Sequence, residues 1–147
     1  MSAFRPQQLS EIVRVVPVGE RRSVGNATLT LLSVELYTEG TIAQFLVAQR
    51  LPAVRLPGIP NMSQFAVALT DDAGNNYASR PYGGSGGSDG PSIQWRTTFA
   101  FAPAVSERVR QLKFRIESVT WLGAPDPSGQ LTESFRALGP WEFVIGL

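Results

Sequence analysis

The stretch ATLTLLSVELY, residues 27–37, decides the fold. Leu29 and Leu31 alternate with threonines, the period-two pattern of a strand with one buried face. Midway the apolar phase changes, and Leu32, Val34 and Leu36 take over. One extra residue turns every later side chain to the opposite face of a strand. A β-bulge near Leu31–Leu32 is therefore predicted to bring the apolar set back to the core. The stretch QLKFRIESVTWL, residues 111–122, behaves the same way: Leu112, Phe114 and Ile116 hand over to Val119 and Trp121, which predicts a second bulge near Glu117–Ser118.

Alternation extends outward from these two segments. Phe65, Val67 and Leu69 share a face, as do Ile93, Trp95, Thr97, Phe99 and Phe101, and at the end Trp141, Phe143, Ile145 and Leu147. Glycine, proline and aspartate clusters separate the runs: a break over 18–22 and another at Val24-Gly25-Asn26, a Thr38–Thr41 hairpin with Gly40 suited to positive φ, and the Asp71–Asn76 turn. Prolines at 52, 57 and 60 exclude a central strand there, and GAPDPSG, residues 123–129, reads as a loop. The predicted strands are 11–18, 27–37, 41–50, 64–70, 76–80, 92–102, 111–121 and 140–147, with at most one helical turn at Val105–Gln111. Regular short strands of this kind predict an all-β, antiparallel β-sandwich of about eight strands. A closed barrel is the alternative; uneven loops and bulged strands favour the sandwich. Residues 1–147 are expected to form one domain, with 1–10 as a flexible N-terminal tail.

Composition narrows the chemistry. A chain of 147 residues buries roughly 68–70% of its unfolded surface and needs no covalent staple. It has no cysteine, so neither disulfides nor thiolate metal sites are available. It has no histidine either, which removes the commonest general base near neutral pH and the commonest transition-metal ligand. Thirteen basic residues against twelve acidic leave a net charge of +1, with no field to steer nucleic acid or an anionic membrane. No run approaches the ~18 apolar residues of a membrane span, and the N-terminus lacks the apolar region of a secretory signal. The chain as it stands reads as cytoplasmic, or as extracytoplasmic if it is an excised ectodomain.

The stretch RPYGGSGGSDGPS, residues 80–92, matches the nucleophile-elbow pattern G-x-S-x-G at Ser85. The mechanism behind that pattern needs a histidine partner and a strand-to-helix turn, and neither is present. Lysine-dependent and helix-dependent phosphate loops fail for similar reasons. A calcium-binding G-G-x-G-x-D repeat is nearly spelled, but Asp89 arrives one place late and no second copy exists. Residues 83–90 are therefore expected to be a flexible coil between two strands. Asp71, Asp72, Asn75 and Asn76 offer oxygens that suit calcium, though hairpin chemistry accounts for the same residues. Arg108, Arg110, Lys113 and Arg115, flanked by Glu107 and Glu117, read as a solvated strand face. A glycosidase-like carboxylate pair would have to come from Glu35, Glu117, Glu142 and Asp126.

The segment from Val24 to Glu35, the Asp71–Gly74 hairpin, Phe101–Pro103, Leu112–Ile116 and Trp141–Val144 together resemble a bacterial family of immunoglobulin-like β-domains of unknown function, of the DUF4352-like type. The likeness covers roughly residues 20–147. It implies an immunoglobulin-like sandwich and supplies no active site. The expectation is a non-enzymatic protein-interaction or binding module without cofactor, with no nucleic-acid partner and no membrane insertion. Exposed edge strands would serve a protein partner or a homodimer. Calcium- or carbohydrate-binding adhesion is the alternative, and a carboxylate-based hydrolase a further one. The candidate binding surface comprises Tyr82 and Trp121, expected at loop margins, with Asp71, Asp72 and Asp89.

Overall fold

The structure is a computed structural model describing residues 11–50, 61–89, 92–125, 128 and 131–147. The expected tail at 1–10, the proline-rich loop at 52–60 and Asp126 lie outside the described residues. Eight strands follow one another: β1 Ile12–Val24, β2 Ala27–Tyr37, β3 Thr41–Arg50, β4 Asn61–Asp71, β5 Asn76–Asp89, β6 Ser92–Ala102, β7 Gln111–Pro125 and β8 Leu131–Gly146. No helix occurs among the described residues. All neighbours pair antiparallel, in the order β1-β2-β3-β6-β5-β4-β7-β8.

The order is continuous but uneven. Between β4 and β5 the ladder consists only of Leu69 opposite Tyr77 and Thr70 opposite Asn76. Beyond that hairpin β5 pairs with β6 alone. At the other end β8 comes alongside β1 without joining its ladder. The sheet is thus nearly closed and barrel-like.

Its interior is apolar because the sequence alternates. Leu29, Leu31, Phe45, Val47, Ile93 and Phe101 point in from one side, and Phe114, Ile116, Val119, Trp121, Trp141 and Phe143 from the other. Phe45 lies at the centre, with the rings of Phe65, Phe114 and Phe143 at 5.2, 5.8 and 6.2 Å.

Both predicted bulges are present. The β2–β3 register slips between Leu31 and Ser33, leaving Leu32 as the extra residue. The β4–β7 register slips where Ala66 faces Ser118 and Val67 faces Ile116, leaving Glu117 extra. A third bulge corrects the expected break at 18–22. β1 runs on to Val24, with a register shift between Pro17 and Glu20 and Gly19 at φ 69°. Gly40 closes its hairpin without positive φ, accepting a hydrogen bond from the Tyr37 N–H at 2.8 Å. β7 reaches Pro125, inside the segment expected as a loop, and β8 begins at Leu131 rather than at residue 140.

The largest correction concerns the segment expected as a coil over 83–90, of which Gly90 lies outside the described residues. Residues 83–89 are not a coil: β5 continues to Asp89, with Gly83 to Asp89 opposite Thr98 to Ser92. The glycines have a steric reason. A Cβ on Gly86 would lie 2.2 Å from the Gln94 carbonyl oxygen and 2.6 Å from the Trp95 ring, and one on Gly84 would lie 2.8 Å from Trp95 Nε1. The Trp95 indole crosses onto β5 and occupies the space those side chains would need. A tryptophan covering its glycine neighbours supplies from one strand the apolar contact the other lacks.

Candidate groove on the outer sheet face

The bulges and the alternation leave a second set of side chains pointing away from the core. On the outer face of β2, β3, β6 and β5, Ser33, Gln44, Thr98 and Gly83 stand in one cross-strand row. Arg96 stands between Leu46 and Ser85. Around them lies an open groove of about 410 Å³, lined by Glu35, Tyr37, Gln44, Tyr82, Arg96 and Thr98, with Gly83, Gly84 and Ser85 on the β5 side.

Two tyrosines define it. Tyr37 donates its hydroxyl to Glu35 Oε1 at 2.8 Å, which fixes the ring. That hydrogen bond, with partial burial and the Glu35 charge, raises the Tyr37 hydroxyl above its ordinary pKa. Tyr82 sits where the β5–β6 register shifts between Pro81 and Gly83, and its side chain is 48% exposed. A bulge re-aims the side chain it carries; here the ring lines the groove. The Arg96 guanidinium has no ion pair or hydrogen-bond partner among the described residues. The site therefore offers two aromatic rings, a planar cation, an amide, hydroxyls and a carboxylate already engaged by a tyrosine.

The residues singled out from sequence do not come together. Tyr82 lines the groove, whereas Trp121 is fully buried, with its ring edge-to-face to Trp95 at 6.2 Å. It belongs to the core because the Glu117 bulge turns residues 119 and 121 inward. Asp71 and Asp72 lie at the β4–β5 hairpin. Asp71 accepts from the Ala73 N–H, the Asn75 N–H, Asn75 Nδ2 and the Tyr77 hydroxyl, at 2.9, 3.0, 3.0 and 2.7 Å. Asp72 accepts from the Arg110 N–H at 3.3 Å. Asp71 thus faces donors of its own hairpin, which is the chemistry of a turn, and Asp72 faces one from the segment that leads into β7. No cluster of three potential metal ligands occurs among the described residues. Asp89 ends β5 opposite Ser92, and its side chain lies outside the described residues.

Of the carboxylates considered for hydrolysis, the three among the described residues do not come together as one site. Glu35 is in the groove, while Glu117 and Glu142 share Arg115 on the outer face of β7 and β8. Glu142 bonds Lys113 at 2.9 Å and Arg115 at 2.7 Å, and its pKa is lowered, first by Lys113. Of the predicted solvated strand face, Lys113, Arg115 and Glu117 lie on β7 in this ladder of alternating charge, whereas Glu107, Arg108 and Arg110 precede the strand.

Sequence reading missed Tyr37, Gln44, Arg96 and Thr98. The available signal was the outward phase of strands 27–37, 41–50 and 92–102, which places these residues on one face. Which strands adjoin was not legible from alternation alone.

No family model matches the chain, and no curated protein matches it. Among solved structures it is similar to a conserved domain protein from Bacillus anthracis, with a TM-score of 0.58 and 15% identity over 91% of this chain and 48% of that one. The chain spans about half the length of that protein. At such identity the likeness concerns the fold.

Proposed function

We propose that this chain is a non-enzymatic binding module on an immunoglobulin-like β-sandwich, and that it presents the outer groove to its ligand. The strand order supports the sandwich reading. An immunoglobulin constant domain pairs its strands A-B-E-D in one layer and C-F-G in the other. With β2 to β8 standing for A to G, the layers β2-β3-β6-β5 and β4-β7-β8 follow that order, and β1 is an additional strand beside A. The likeness to DUF4352-like domains is part of this reading.

One observation carries the binding role: an unpartnered Arg96 shares a groove with a tyrosine held by Glu35 and a tyrosine re-aimed by a bulge. Exposed aromatic and arginine side chains of this kind are the usual anchors of recognition. The test is a glycan and peptide array probed with the wild-type chain, Tyr82→Ala, Arg96→Ala and, as a control on the opposite layer, Lys113→Ala. A ligand lost with the first two variants and kept by the third supports the groove. A ligand that survives both groove substitutions places recognition elsewhere.

A second reading, strand addition by a protein partner or a second copy, rests on β1. Ile12, Val13 and Val15 are 54%, 65% and 53% exposed on an edge strand. Sedimentation of wild type against Val13→Lys tests it: a dimer dispersed by the lysine supports this reading, and an unchanged monomer excludes the homodimer.

A further inference from the structure

We infer that the groove takes an acidic oligosaccharide, with a sugar carboxylate on Arg96 and a sugar ring against Tyr82. This rests on the groove being the ligand surface, and it follows from what the groove can and cannot supply.

A peptide docking as an extra strand needs free backbone donors and acceptors at a sheet edge. The groove lies on a sheet face, where the backbone groups of β2, β3 and β6, and those of β5 directed at β6, are spent on one another in the ladders; the remaining groups of β5 point away from β6 in the plane of the sheet rather than into its outer face. Its ligand must therefore be met by side chains. A compact apolar ligand is held by an enclosed, mainly hydrophobic pocket; this groove is open, and Ile42 is its one aliphatic branched side chain. A nucleic acid needs several cations along its path. Here the single Arg96 is set against Glu35.

What remains is a flexible polar chain whose units each carry hydroxyls and one flat apolar face. The side chains fit that description. Gln44 and Thr98 are cross-strand neighbours, and Ser85 is opposite Arg96, so donors and acceptors repeat at the ~4.8 Å strand spacing. Tyr82 offers a ring whose rigid, amphipathic surface suits stacking with a hydroxylated partner. Gly83 is open: a Cβ there would meet nothing within 4 Å, so no side chain comes between ligand and strand.

Charge then gives the ligand a sign and a direction. Arginine's planar fork matches a carboxylate with two parallel hydrogen bonds, and Arg96 lacks any acid of its own among the described residues. Glu35 repels an anion from the opposite end of the groove. The carboxylate is therefore directed to the β6 side, and neutral hydroxyls to the Tyr37–Glu35 pair.

The experiment is a titration of the ¹⁵N-labelled chain, followed by amide shifts, with tetragalacturonate, cellotetraose and a penta-glutamate peptide as probes. Tetragalacturonate is expected to move the amides of residues 35, 44, 82–85 and 96–98. Arg96→Gln should weaken it about tenfold or more, the loss of a charge-assisted pair. Tyr82→Ala should weaken it several-fold while Tyr82→Phe does not, and Lys113→Gln should leave it unchanged. Failure of tetragalacturonate to bind overturns the inference. So does cellotetraose binding equally well and indifferently to Arg96→Gln. Penta-glutamate shifting the groove amides while the sugars do not overturns the sugar assignment and leaves the groove as a binding surface. Sugar-induced shifts confined to residues outside the groove overturn both.

Discussion

Asp71 illustrates how one side chain can be placed correctly from sequence while two purposes fit it. The run Asp-Asp-Ala-Gly-Asn-Asn marks a hairpin, and its oxygens also suit calcium. What decides between the two is the set of groups that face Asp71, and these come from 73, 75 and 77, across the turn. Its carboxyl is lowered to about 2, chiefly by the Tyr77 hydroxyl and then by Asn75 and the backbone amides, against the opposing effect of burial. Tyr77 is correspondingly raised, by burial first and by Asp71 second. A depressed carboxyl stabilises the folded state fully above its unfolded value, near pH 4, and loses that contribution as the pH falls toward 2. Urea midpoints between pH 6 and pH 2 should therefore drop more steeply for the wild type than for Asp71→Asn. Equal slopes would remove Asp71 from the stability of the fold. Tyr77→Phe should cost about 1.5–3 kcal/mol at neutral pH, the scale of one hydrogen bond to a charged group. Thr41 gives the opposite case. Its hydroxyl is fully buried and has no partner among the described residues. Thr41→Val keeps the shape and removes an unsatisfied group, so chemical denaturation should find it more stable by about 1 kcal/mol. A loss of stability would mean the hydroxyl has a partner after all.

At the scale of the element, β2 and β7 were legible and β5 only over 76–80, for one physical reason. The period-two rule detects apolar side chains, so it follows Leu29 through Leu36 and Leu112 through Trp121 and even locates the extra residue in each. Residues 83–87 carry no apolar side chain to detect. Their contribution to the core is made by Trp95, from the strand opposite, and a single-strand pattern does not register a contact supplied across the ladder. The consequence is a sharp contrast between neighbouring glycines. Gly86→Ala puts a methyl against the Gln94 backbone oxygen, which cannot rotate away. It should destabilise by about 1–3 kcal/mol, as overpacking does. Gly87→Ala meets nothing within 4 Å and its backbone is not at positive φ, so it should be neutral or stabilise by up to about 1 kcal/mol. Denaturant midpoints for the two variants separate a packed strand from a loose coil, in which both substitutions would behave alike. The same unevenness explains why the groove was half visible. Tyr82 could be named from its position beside the glycines, whereas Tyr37 and Arg96 join it only because β2, β3, β6 and β5 are neighbours.

For the whole molecule the open question is how the sheet ends meet. Alternation assigns faces but not neighbours, which is why sandwich and barrel both fitted the sequence. Side chains, not a ladder, tie β8 to the β1–β2 hairpin. Trp141 Nε1 donates to the Ala27 carbonyl at 3.3 Å, and the Arg22 guanidinium lies 5.5 Å from the centre of the Phe143 ring. On the opposite flank β4 and β5 separate after two residue pairs. A sandwich with two such open flanks differs from a barrel in which strands are held on both sides. Native-state hydrogen exchange reads that difference, because an amide without a ladder partner opens at little cost while central strands exchange only on global unfolding. Amides of β3, β6 and β7 should exchange at the global limit. In β5 beyond Tyr77, those directed at β6 should be protected and the alternate ones should exchange at once; β1 should exchange ahead of β2. Trp141→Phe removes the indole donor and part of a fully buried ring, so it should cost about 2–3 kcal/mol and accelerate exchange in the β1–β2 hairpin before it affects β4 or β7. Protection of β1 and of both edges of β5 to the global limit would instead describe a closed barrel, and the correspondence with the two immunoglobulin layers would fail with it.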